Sequence, residues 1–458
     1  MNQLDTNRDT VLATEKGLAD LDRLADLSRD VIARCLHKGA SQAEVGMNLD
    51  RGLNVNVRMG EVETVEHTRD RGVSITVYFG KRKGSASTAD LQPESIVTTI
   101  EQACAIARHT EEDSAAGLAD ADRMATIFPE LDLWHPWNVD AERAIALGIE
   151  CEAAGRDADP RISNSDGANV SSAESMSVYA NSHGFVGRDR STRHSLSCSM
   201  IAEDEHGMQR DYWYSSTRNA NDLDAPESIG RRAAERTVAR LDGRKLGTRE
   251  CKVLYVPEVS RSLIGHLVSA VSGGALYRKS SFLLDHLGKQ ILPSWFHIHE
   301  DPFISRGHGS GAFDAEGVAT LQNDLVQGGV LSRYVLGSYS ARKLGLQSTG
   351  NAGGIHNLLV AANAGDQDSL IAQMGEGLLL TEVMGQGVNT VTGDYSRGAA
   401  GFWIENGAIA YPVDEITVAG NLRDMFQNIV AVGSDVDARS QILTGSILIE
   451  RMMIAGAQ

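Results

Sequence analysis

The densest group of metal-type donors in this 458-residue chain is His297-Ile-His-Glu-Asp301. Side chains alternate along a strand, so His297, His299 and Asp301 would share one face, with His308 a few residues on. Imidazole and carboxylate donors set that way can hold Zn²⁺ or Mn²⁺. The plainer account is an exposed polar strand end before Pro302, because His-x-His is short and common. Phe313-Asp-Ala-Glu-Gly317 sets Asp314 and Glu316 on one strand face. Paired carboxylates do acid–base work or bind a cation, yet a turn-forming Asp beside a solvated Glu is preferred. Gly350-Asn-Ala-Gly-Gly354 lacks the Lys-Ser/Thr of a phosphate loop and the GxGxxG order of a dinucleotide site, and reads as a tight turn. Gly375-Glu-Gly377 and Gly385-Gln-Gly387 read as turns or bulges. There is no GxSxG, and a Ser/His/Asp triad stays open because its members need not be close in sequence. Trp134-His-Pro-Trp137 suits docking of a linker onto a neighbouring domain, or stacking on a ligand.

Composition narrows the chemistry. The net charge of −18 opposes general nucleic-acid binding, which needs a cationic surface. With 42% apolar and 23% charged residues the chain is not of a disordered class. The longest apolar runs, such as Ile371–Val383, are broken by Gln373, Glu376 and Glu382, so no membrane span is expected. The polar N-terminus shows no secretory signal. The 5 Cys include no CxxC and read as reduced, mostly buried thiols of a cytoplasmic protein.

Periodicity predicts the elements that must position these residues. Leu21, Leu24, Leu27, Val31, Ile32 and Leu36 mark a helix that stops at Lys38-Gly39. Leu53–Val57 and Val73–Phe79 alternate as strands around a turn at Met59-Gly60, and a second helix covers Ser95–Arg108. An acidic stretch from Glu111 to Asp122 closes this segment. A helix at Val139–Ala154 precedes hairpins from Ile162 to Tyr214, with turns at 182–184 and 205–207, and a helix at Pro226–Leu241. The strand Lys252–Val256 and a helix at Val259–Val271 open the last segment. Mostly strands are expected beyond Ser272, with helices at Asp366–Met374 and Asn421–Ile429. Blocks of helices and strands, not βαβ alternation, make the class α+β. The expected division is an N-terminal α/β layer with antiparallel strands (1–125), a hairpin-rich middle segment (126–245) and a mostly β C-terminal domain (246–458).

The stretches Asn389–Ser396, Gly401-Phe-Trp-Ile-Glu-Asn-Gly407 and Val413–Phe426 are highly specific. With Phe313–Gly317, Ser348-Thr-Gly-Asn-Ala352 and Asn181-Ser-His-Gly184, they make the chain resemble the TldD/PmbA family, in particular its PmbA (TldE) half. The resemblance runs from about residue 20 to the end. It implies a two-part TldD/TldE metalloprotease acting on peptides and small unfolded proteins; an older name for the PmbA half is modulator of DNA gyrase. The TldD half carries HExxxH on the helix after the first strand of its last domain, and a Cys near its C-terminus. Placed on that pattern, Leu263–Ala270 puts Gly265 and Ala270 at the two His positions and His266 at the Glu position. On an ideal helix those two positions splay by about 140°, so joint ligation asks for a local distortion such as a π-bulge. No Cys follows Cys251.

The resemblance therefore assigns no catalytic, cofactor-binding or metal-ligating residue to this chain. It implies zinc in a TldD-like partner, a heterodimer with that partner and a peptide or unfolded-protein substrate, and it allows a homodimer when the chain is alone. The alternatives are a metal-independent homodimeric binding module, and a self-sufficient metallopeptidase using His297 and His299.

Overall fold

The computed structural model describes residues 3–456, with side chains described from residue 17 onward. Helix α1 (Gln3–His37) buries Leu21, Leu24, Val31 and Ile32 and stops before Gly39. β1 (Gln42–Arg58) and β2 (Glu61–Phe79) form a long hairpin. Its turn residues Met59 and Gly60 both have positive φ, as a type I′ two-residue turn requires. β3 (Arg82–Thr88) pairs only with Val73–Phe79 of β2. The segment Glu61–Gly72 thus keeps a bare edge among the described residues, and nearly all of it faces solvent. Helix α2 (Pro93–His109) follows, then an irregular acidic stretch, α3 (Ala141–Arg156), β4 (Ile162–Asn181), β5 (Val186–Asp204), β6 (Gly207–Thr217) and α4 (Pro226–Val238).

Strands β3-β2-β1-β4-β5-β6 make one antiparallel sheet, so the first and middle segments share it through the β1–β4 pairing. Alternation sorts its faces. Val45, Met47, Leu53, Val55 and Val57 of β1 point to one side with Ala168, Val170, Met176, Val178 and Ala180 of β4. Helices α1 and α2 cover one end of that side, and α3 and α4 the other. Each fully buried Val or Met there contributes roughly 1.5–3 kcal/mol. The opposite face carries Glu44, Gly46, Ser74, Thr76, Ser177 and Tyr179.

The last domain starts with β7 (Arg249–Tyr255), α5 (Pro257–Ala270) and α6 (Gly273–Tyr277). There follow β8 (Ile298–Asp301), β9 (Asn323–Gln327), β10 (Val330–Leu331), α7 (Ser338–Leu344), β11 (Asn357–Val360) and α8 (Gln367–Met374). The chain closes with β12 (Gly377–Met384), β13 (Asp394–Glu405), β14 (Ala408–Asn421), α9 (Leu422–Gln427), β15 (Ile429–Val432), β16 (Ile442–Leu443) and β17 (Ile447–Gly456). One sheet runs β14-β13-β12-β7-β17-β15, and β14 also pairs with β17, so it curls toward a barrel. Its central strand β7 buries Val253, Leu254 and Tyr255 consecutively, as a strand covered on both faces does. A second sheet runs β10-β9-β8-β11-β16.

The α+β class and the helices expected near 366–374 and 421–429 stand. Gly375 caps α8 and Gly385 follows β12, so both Gly-x-Gly triplets sit at element ends. The region beyond Ser272 differs from the expected run of strands. It includes α6, α7 and long irregular stretches held by side-chain hydrogen bonds rather than by ladders. Trp134 and Trp137 dock onto the helix-covered face, as the linker reading required. The acidic stretch becomes a clasp. Arg342 of α7 donates to the carbonyls of Gly117 and Leu118 and pairs with Asp120, and Lys343 and Tyr339 reach Asp113. Among the described residues no helix is long and apolar enough to cross a membrane. All five cysteines are free, four of them buried.

Helices α3 and α4 meet through glycines. A Cβ on Gly230 would lie 1.9 Å from the Cys151 carbonyl oxygen, and one on Gly155 would lie 2.8 Å from the Gly230 oxygen. Gly230→Ala should therefore force the helices apart and cost about 1–3 kcal/mol or more in urea unfolding.

Candidate functional site

Three places match the residues singled out from the sequence. The first is α5, which Pro257 starts and whose Val259, Leu263, Ile264, Leu267 and Ala270 face the core. Gly265 looks into open space, with no atom within 4 Å of a Cβ built there. Ala270 lies on the buried side, 0% exposed, and its carbonyl accepts from Ser281 Oγ at 2.5 Å. The two positions thus differ, one half-buried with free space beside it and the other packed into the core. His266 is half-buried, packs edge-on against Tyr395 at 5.9 Å, and its Nε2 has no hydrogen-bond partner among the described residues. Burial, and then the charge of Arg397, push its imidazole below the usual range, so it is neutral at pH 7. A glycine, a methyl group and one isolated neutral imidazole do not fit a catalytic metal at this helix.

The second place is a cleft of about 740 Å³ on the polar face of the first sheet, opposite the helices. Glu44 of β1 accepts hydrogen bonds from Tyr78 at 2.9 Å and Tyr179 at 2.8 Å. Burial, and then Glu44, push both phenols up, so they stay protonated as donors. Lys81, Lys83, Asp113 and Tyr339 line the same space, and Ala315-Glu316 closes it. The carboxylate pair predicted at 314 and 316 is split by this arrangement. Asp314 is buried and forms the turn, accepting from the backbone N–H groups of Glu316, Val318 and Ala352 at 2.9–3.0 Å. Burial nevertheless pushes its carboxyl up to about 6. Glu316 is not merely solvated: it accepts from the Ser338 N–H at 2.8 Å and forms cleft wall. The sequence reading missed Glu44, Tyr78 and Tyr179. The signal was the alternation itself, which places polar even-numbered residues of β1 opposite its buried valines.

The third place is the His297 cluster. His299 Nδ1 lies 2.7 Å and His297 Nε2 3.1 Å from Asp324 Oδ1. Asp324 was missed, because it sits on β9, distant in sequence. Asp301 does not join: its carboxylate accepts from the Phe303 N–H at 2.8 Å. His308 lies elsewhere, pushed down to about 4 by burial and by Arg193 and Arg218. Glu300 points inward, 1% exposed, where Arg333 and Asn351 hold it. Gly350–Gly354 is a turn with positive φ at Gly350, Gly353 and Gly354, and its Asn351 belongs to that buried network.

Comparison with known proteins places this geometry among relatives. Family models described as PmbA/TldA metallopeptidase domain 1, central domain and C-terminal domain match residues 43–107, 134–241 and 248–456. The chain is 50% identical to Metalloprotease PmbA of Escherichia coli O157:H7 over 414 residues, 90% of this chain and 92% of that protein. A crystal structure from Bacteroides thetaiotaomicron, named for modulation of DNA gyrase, superposes with a TM-score of 0.90 at 29% identity over 94% of this chain and 98% of that one. TldE from Thermococcus kodakarensis shares the fold, with a TM-score of 0.81 at 20% identity, covering 94% of this chain and 100% of that one.

Burial holds the Asp314 carboxyl up at about 6 in the folded chain, above the ordinary aspartate value of about 4. Between those values the folded state holds more protons than the unfolded one. Stability should therefore fall as pH rises from about 4 to about 6, by on the order of 2–3 kcal/mol from this group. Unfolding free energies across that range should lose this component in Asp314→Asn.

Proposed function

The chain belongs to the PmbA/TldD metallopeptidase family, and from that premise we propose that it is the PmbA-type (TldE-type) subunit of a two-part metallopeptidase that degrades or processes peptides and small unfolded proteins. A TldD-like subunit brings the catalytic ion, zinc by the family resemblance. This chain completes the enclosure, admits extended polypeptide and performs no hydrolysis itself. One observation carries the reading. Where the family's catalytic partner has its metal helix, Gly265 faces open space and Ala270 is packed into the core. The cleft supports it: phenol donors, carboxylates and lysines on a sheet face suit polar backbone groups of an extended chain. Direct contact with nucleic acid is outside the reading, given the net charge of −18. The working units are residues 1–125, 126–245 and 246–458, the first two joined in one sheet, and the compartment is the cytoplasm.

Reconstitution tests it. The purified chain should cleave an unfolded peptide no faster than a chelated control, and adding a TldD-like subunit should give activity and a heterodimer by size exclusion. Hydrolysis by the lone chain, lost on His297→Ala or His299→Ala, would sink the reading. A homodimer indifferent to the partner would replace it with a metal-independent binding module.

A further inference from the structure

We propose that His297, His299 and Asp324 form a binding site for a divalent transition ion of the zinc class, which clips β8 to β9 and leaves at least one coordination position open. The site is distinct from α5 and goes beyond the subunit reading. It is the one group of three such donors found among the described residues whose ligand atoms all lie within 4.8 Å of one another.

Backbone geometry builds it. On β8, Ile298 and Glu300 point into the domain, so the intervening His299 and the preceding His297 point outward together. The β8–β9 register then shifts: Ile298 pairs with Val326, but His299 pairs with Asp324 rather than Leu325. This extra residue lets Leu325 and Val326 both bury, and delivers the Asp324 carboxylate to the outer face beside the imidazoles. A regular ladder would have set His299 opposite a buried leucine.

Side-chain geometry completes it. The two rings are nearly parallel, 7° apart, with centroids separated by 6.5 Å. His297 reaches through Nε2 and His299, which is nearer, through Nδ1. Zinc bonds of about 2.0–2.1 Å imply tetrahedral edges of roughly 3.3–3.4 Å between ligand atoms. The donors now sit 3.1 and 2.7 Å from the carboxylate oxygen, so an ion needs these two edges to lengthen, with all three ligand atoms already within 4.8 Å of one another. Side-chain exposures of 35%, 36% and 26% leave an entry path and room for water at the open position. Two imidazoles and one carboxylate suit zinc better than the hard, all-oxygen sites of Ca²⁺ or Mg²⁺.

The full-length chain, stripped with chelator and dialysed, is titrated with Zn²⁺ against a chromophoric competitor, and separately with Co²⁺ to read the ligand field. The expected result is one equivalent bound, a tetrahedral Co²⁺ spectrum, and a rise in melting temperature with Zn²⁺. Asp324→Asn and His299→Ala should each weaken binding by about tenfold or more and abolish the Zn²⁺-dependent rise. His266→Ala should bind as the parent does. Melting without metal shows whether each variant folds, and His297→Gln replaces any that does not. Absence of saturable binding, or unchanged affinity in the folded ligand variants, would overturn the site. Metal binding is scored apart from peptide hydrolysis. A zinc-loaded lone chain that hydrolyses peptide would end the subunit reading and leave the site standing, whereas a chain that binds no zinc would end only the site.

Discussion

A buried carboxylate organises the C-terminal domain. Glu300 sits on the inner face of β8 against Arg333, and accepts in addition from Asn351 at 3.0 Å and from the His356 N–H at 2.6 Å. Arg333 also donates to Asn351 at 2.9 Å, which closes a triangle of polar groups inside an apolar surround. Removing one member of such a pair leaves a bare charge in low dielectric, the costly case for buried ions. The network extends outward. Asn351 fixes the turn that presents the Ala352 N–H to Asp314, and Asp314 shapes the loop that carries Glu316 to the cleft wall. One desolvated carboxylate thus sets the position of a surface loop several residues away on another segment.

Much of the architecture was legible in the residues. The leucines of α1, the valines of β1 and β2 and the Met59-Gly60 turn carry their periods openly, and the apolar spacing from Val259 onward shows α5, whose start at Pro257 lies two residues earlier. What was not legible is non-local. Nothing near β1 says that β4 will lie beside it, so the shared sheet could not be read from either segment alone. Asp324 is the same case: its partnership with His299 depends on an irregular step in strand pairing that no local pattern encodes. The loops from 278 to 297 and from 302 to 322 have no period at all, because hydrogen bonds such as Arg218 to the His308 carbonyl stand in for ladder bonds there.

The α5 helix owes its place to packing. Leu263, Ile264 and Leu267 hold it in place with Ala270, so packing alone accounts for its position. Gly265 has room for a side chain that it does not carry, whereas Ala270 has none to spare.

The bare edge of β2 has a consequence of its own. Unpaired backbone over Glu61–Gly72 is a template on which other chains can stack into fibrils, and Val62 and Val65 stand exposed along it. Glu61, Glu63, Glu66, Arg69, Asp70 and Arg71 guard that template with charge that incoming strands must desolvate. The guard is electrostatic and weakens with ionic strength, so the protection of this edge is coupled to salt.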